Sequence, residues 1–149
     1  MHAERAMAES TERTRMEREI TRDLNSLEHI TVMLDEFSRE HRISDADRFS
    51  LALAIEEIIT NIIRHQPKNN SAIHVRMNGS VDRVVITIED PESVFFDPTA
   101  AKDPKVDLPI EERKPGGLGI FLTKRVMDEV RYEFHEGTGT TTLVKRLES

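Results

Sequence analysis

The sequence predicts an α+β domain of two layers, a mostly antiparallel sheet with three helices on one face. Three observations predict it. Two pairs of short alternating segments close on tight turns, three stretches have helical period, and no strand–helix–strand crossover appears among them. At 149 residues the chain has the length of a single domain and can bury a core without covalent staples.

The elements follow in order. Residues 1–15 mix charge with Ala, Ser and Thr without periodicity and read as a flexible tail before a domain at 16–149. Residues 16–21 alternate weakly, as a short edge strand does. Leu24, Leu27, Ile30, Leu34 and Phe37 recur at steps of three and four, which predicts a helix over 24–41. Ser44 with Asp47 three residues on resembles a capping box and opens a second helix, 45–65, which Pro67 and a polar run end. Segments 71–79 and 81–90 alternate around Asn78-Gly79, a strong hairpin signal. Residues 91–115 hold five of the six prolines among charges, the composition of a functional lid or a disordered loop. A third helix is expected over about 118–129, and the last segment is a hairpin turning at Gly137–Gly139.

Composition narrows the function. Lys and Arg number 21 and Asp and Glu 28, so the net charge is 21 − 28 = −7. That balance argues against direct nucleic-acid or anionic-membrane binding, which draw on a positive field. It leaves room for a basic partner, or for a nucleotide whose phosphates meet a metal and backbone amides. The absence of cysteine removes disulfide, zinc–thiolate and thiol chemistry. No apolar run reaches the ~18 residues of a membrane span, and the first fifteen residues lack the apolar core of a signal peptide. A soluble, cytoplasmic protein is expected.

Three clusters of residues point to chemistry. At about 100° per residue, Asn61 lies about 40° from Glu57 on the second helix, with Ser50, Thr60 and Arg64 nearby and isoleucines opposite. That stripe is either a solvated face or a carboxylate and an amide set together for a proton and a Mg²⁺ ion. Pro115-Gly116-Gly117-Leu118-Gly119 directly before a helix suits a phosphate at free N–H groups, or is a plain entry turn. It lacks the Lys-Ser/Thr of a P-loop and the surrounding unit of a dinucleotide fold. Asp90 ends an alternating strand, where it can accept from a base amino group or merely terminate pairing. The remaining histidines show no metal spacing; His65 reads as a helix-end hydrogen bonder, and Met127 as core.

Taken together and in this order, these motifs resemble the anti-sigma factor serine kinases of the RsbW/SpoIIAB type, within the GHKL (Bergerat-fold) ATPase superfamily. LALAIEEIITNIIRH is similar to the N box, IEDPESVFFDP to the first glycine box, PGGLGIFLTKRVMDEV to the second, and GTTTLVKRL to the last strand. The resemblance covers about 16–147. It implies Glu57 as the general base for a partner's serine and Asn61 as a ligand of Mg²⁺. Asp90 would bind the adenine amino group with Thr141 nearby, and Gly116, Gly117, Leu118 and Gly119 would meet the phosphates. Residues 91–116 would form the ATP lid, with Arg113 and Lys114 facing γ-phosphate charge. It further implies Mg-ATP as the bound nucleotide, a sigma factor and a STAS-type antagonist as partners, and a homodimer. One departure stands out: Glu92 occupies the position of the first-box glycine, and Phe96-Asp97-Pro98 sits one residue late. The alternative reading is therefore a non-catalytic or weakly ATP-binding partner-switching regulator on the same fold.

Overall fold

The computed structural model describes residues 14–100 and 117–147. Five strands form one sheet in the order β1-β2-β3-β5-β4, where β1 is Thr14–Ile20, β2 Ile73–Gly79, β3 Arg83–Asp90, β4 Glu129–His135 and β5 Thr138–Arg146. Every neighbouring pair is antiparallel. Helices α1 (Leu27–His41), α2 (Asp45–His65) and α3 (Gly117–Val126) complete the second layer. The predicted two-layer architecture is what the chain adopts.

The period-2 strands bury one face. Ile73, Val75 and Met77 of β2, Val84, Ile86 and Ile88 of β3, and Leu143 of β5 are buried, while the residues between them in β2 and β3 are only half-buried. Ile30, Met33, Leu34 and Phe37 of α1 and Leu51, Ile55, Ile58, Ile59 and Ile62 of α2 close on them as one cluster. Phe37, Leu51 and the four buried α2 isoleucines are essentially inaccessible, so α2 is the central spine of the domain. Ser44 caps α2 as the sequence suggested: its Oγ accepts from the Asp47 amide at 3.1 Å.

Element boundaries differ from expectation at five places, each with a physical reason. The strand begins at Thr14 rather than 16, so the last two residues of the expected tail belong to β1; the Thr14 hydroxyl meets His41 Nδ1 at 2.9 Å and ties them down. The first turn of the expected first helix, Leu24–Ser26, is 3₁₀, opened by Asp23 accepting from the Asn25 amide. Asn78 and Gly79 do not form the hairpin turn. They pair with Val85 and Val84 inside β2, and the chain reverses at Ser80–Asp82. Gly79 is needed for room, because a Cβ there would stand 2.7 Å from the His41 ring. That ring also hydrogen-bonds the Ser80 carbonyl at 2.7 Å, so His41 joins β1, α1 and the β2–β3 turn.

The third helix starts at Gly117 and stops at Val126, and Glu129 and Val130 open β4 instead of continuing it. Asp128 enforces the stop: its amide donates to the Val144 carbonyl at 2.9 Å, and its carboxylate accepts from the Arg146 amide at 2.6 Å. Lys145 caps the released Val126 carbonyl at 2.9 Å. Met127 is buried, as read. The second hairpin turns on Glu136-Gly137, with φ of 47° and 80°, the two positive values a tight primed turn requires. Gly139 stays in β5 opposite Asp90, where a Cβ would press on the Tyr132 hydroxyl at 2.8 Å.

Candidate active site

Glu57 and Asn61 lie one turn apart on α2, and their stripe is not a solvated face. The N-terminal turn of α3 packs over it, and a Cβ on Gly119 would overlap the Glu57 carboxylate. Oε1 of Glu57 is buried and has no hydrogen-bond partner. Burial pushes the Glu57 carboxyl up from the ordinary carboxylate range, while the neighbouring Asn61 amide and the Arg64 charge pull the other way. An unpartnered, partly desolvated carboxylate of raised pKa has the properties of a general base, which works best with a pKa close to ambient pH. Asn61 Nδ2 donates to the Pro98 carbonyl at 3.4 Å, which turns Oδ1 away from that contact as an available oxygen ligand.

Asp90 is buried at the end of β3, on the helix-facing side of the sheet. In the β3–β5 register it faces Gly139, and Thr141 follows two residues on along the same face, so the two expected base-binding residues are diagonal neighbours. Thr141 is itself buried. The Asp90 carboxylate has three donors. Arg22 forms an ion pair with Oδ1, Ser93 Oγ donates to Oδ2 at 3.0 Å, and Gln66 Nε2 donates to Oδ2 at 3.2 Å. Arg22, Gln66 and Ser93 carry no motif signal in the sequence; only the fold brings them to Asp90.

Glu92 holds a glycine's conformation. Its φ is 51°, the left-handed region that non-glycine residues adopt at a cost of order 1 kcal/mol. Hydrogen bonds hold it there: the Ser71 hydroxyl donates to its carboxylate, and Asn69 Nδ2 donates to its carbonyl at 3.0 Å. Its side chain is exposed, directed at Ser71 rather than at Asp90. Glu92 thus holds a left-handed conformation that glycine would adopt freely.

The Phe96 ring stacks on His65 with centroids 3.6 Å apart and planes 9° off parallel. His65 therefore serves as a stacking platform at the end of α2 rather than as the helix-end hydrogen bonder expected of it. Asp97 then accepts from the Thr99 amide and hydroxyl at 2.8 and 2.6 Å, so residues 91–100 leave the sheet along a defined path. Gly117 and Leu118 open α3; Arg113, Lys114, Gly116 and most of the expected lid lie outside the described residues.

Among the described residues no three acidic or histidine side chains converge as a metal cluster. A cation here would rest on Asn61 Oδ1 and on oxygens of the bound ligand, the arrangement Mg²⁺ adopts with phosphates. The absence of a Cβ at Gly119 is what lets the Glu57 carboxylate pack directly against the first turn of α3.

The sequence profile of the histidine kinase-like ATPase domain matches residues 20–145. The chain belongs to this family. It is 30% identical over 112 residues to the serine/threonine-protein kinase BtrW of Bordetella bronchiseptica, covering 74% of this chain and 78% of that one. It is 29% identical over 102 residues to the serine-protein kinase RsbW of Bacillus subtilis, covering 65% of this chain and 63% of RsbW. The RsbU and RsbW domains of a Mycobacterium tuberculosis protein share the fold, with a TM-score of 0.66 at 17% identity over 90% of this chain and 32% of that chain. The resemblance read from the four motifs is borne out, and with it the two-layer fold.

Proposed function

We propose that this histidine kinase-like ATPase domain is an ATP-dependent protein serine/threonine kinase of the partner-switching type, cytoplasmic and homodimeric. It binds Mg-ATP with the base at Asp90 and Thr141 and the phosphates at the Gly117–Gly119 amides. It transfers the γ-phosphoryl group to a serine or threonine of a STAS-type antagonist, and it holds a sigma factor until that antagonist competes. The observation that carries this reading is Glu57: a carboxylate packed against Gly119 one turn from Asn61, its Oε1 buried without a partner and its pKa raised by burial. The similarity to BtrW and RsbW, both named as protein kinases, supports it.

The chemistry follows from the positions. The acceptor hydroxyl gives its proton to Glu57 as its oxygen bonds the γ-phosphorus, and the bond to the β–γ bridging oxygen breaks, leaving ADP. Asn61 would hold a Mg²⁺ ion, which would supply positive charge against the phosphates. Desolvation keeps Glu57 basic at the pH where the hydroxyl is neutral, and α3 supplies N–H groups and a positive dipole end at its first turn.

The direct test combines Mg-ATP affinity with transfer of labelled γ-phosphate to a candidate antagonist. Weak or absent Mg-ATP binding, or binding with no transfer to any STAS-type partner, would favour the alternative, a non-catalytic or weakly ATP-binding switching regulator; the three donors already occupying Asp90 are the feature that would favour it. Light scattering at tens of micromolar tests the homodimer, and a monomer mass would remove it.

A further inference from the structure

Arg22 is reached by no motif, yet it makes one of the most buried ion pairs in the domain. It lies two residues beyond β1, whose last residue, Ile20, pairs with Ile73. Its side chain is 4% exposed and that of Asp90 is 5% exposed. Two of the three guanidinium nitrogens are directed at acceptors. Nε donates to the Ser71 carbonyl at 2.7 Å, and Nη2 donates both to Asp90 Oδ1 and to the Pro91 carbonyl at 3.2 Å. Nη1 is buried without a partner. A planar fork held at three acceptors has one orientation, so it sets the orientation of the carboxylate it grips.

Counting acceptor sites shows what that does. A carboxylate offers about four lone-pair positions. On Oδ2 stand Gln66 and the Ser93 hydroxyl, which shares its one proton with the Val94 carbonyl at 2.8 Å, and Arg22 takes one position on Oδ1. One position on Oδ1 is left, and its direction is fixed by the Arg22 contact. A single fixed acceptor accepts an amino group and rejects a carbonyl.

We propose that Arg22 is the positioning residue of base recognition: it orients Asp90 so that one remaining acceptor site on Oδ1 selects a 6-amino purine. This rests on the reading of Asp90 as the base-binding carboxylate. A merely structural ion pair would hold β1 against β3 and leave base selectivity alone, so selectivity is the property to measure.

The experiment compares the affinities of the full chain for Mg-ATP and Mg-ITP, which carries a carbonyl in place of the 6-amino group. Parent, Arg22→Met and Arg22→Lys are measured by titration calorimetry. One charge-assisted hydrogen bond corresponds to about 10–100-fold, so the parent should prefer ATP by that ratio. In Arg22→Met the ratio should fall to within about threefold. Arg22→Lys, a point charge that reaches one acceptor but not three, should give an intermediate ratio and keeps the test open if the Met variant does not fold. A full ATP:ITP ratio in either folded variant overturns the proposal and leaves Arg22 a structural ion pair. A ratio higher than the parent's also overturns it, making Arg22 a competitor of the base. No preference in the parent removes the Asp90 reading and this inference together; preference in the parent that survives Arg22 replacement removes the inference alone.

Discussion

At the scale of single residues, Glu57 and Asn61 should fail differently. Glu57→Gln keeps shape and loses the proton acceptor; Mg-ATP affinity should stay within a fewfold while transfer falls by about 10²–10⁴-fold. Asn61→Ala removes the oxygen proposed to hold the metal and the side chain's tie to Pro98, so Mg-ATP affinity itself should drop. Equal affinity and equal transfer in both variants and the parent would return the stripe to a mere helix surface. Gly119→Ala offers a subtler check. The group its methyl meets is the flexible end of Glu57, so the fold should tolerate it. The base must move by roughly an ångström, however, and that displacement alone is worth about 10²-fold in rate. A folded Gly119→Ala with unimpaired transfer would show that Glu57 is not the base. These relations were half legible beforehand: the helix angle places Glu57 beside Asn61, but nothing in local sequence says that α3 covers them. Arg22 is the extreme case, 68 positions from Asp90 and joined to it only by the sheet.

At the scale of elements, periodicity located all three helices and both hairpins, since each hydrophobic stripe had one face to bury. It misplaced ends wherever a tertiary contact outranked the local signal. Asn78-Gly79 carries the better turn chemistry, yet the packing of His41 against Gly79 keeps that pair in the strand. Asp128 likewise ends α3 through bonds to β5 that no local pattern records. The α2 spine makes a quantitative prediction. Ile58 is fully buried at its centre, between sheet and neighbouring helices. Ile58→Ala should cost about 2–5 kcal/mol, read as a lower urea midpoint at unchanged slope. A loss below 1 kcal/mol would mean that α2 does not organise the core.

At the scale of the whole molecule, function and stability pull against each other at Glu57, and pH separates them. Burial raises the folded-state pKa of this carboxyl above its value in the unfolded chain. The folded protein therefore binds its proton more tightly than the unfolded one. The stabilising contribution is fully present below the unfolded-state pKa and is lost as pH rises through the folded value. Above that value the domain carries a partly desolvated charge whose Oε1 has no partner. Glu57→Gln removes the charge and keeps the volume, so it should stabilise the apo protein at pH 8 and make little difference at pH 4. The measurement is the difference in Tm between variant and parent at both values, without nucleotide. A positive difference that grows from acid to alkaline pH marks a site where charge is retained for chemistry at the expense of stability. A variant less stable than the parent at pH 8 would mean that the ionised carboxylate is well satisfied, and the desolvated general base would lose its physical foundation.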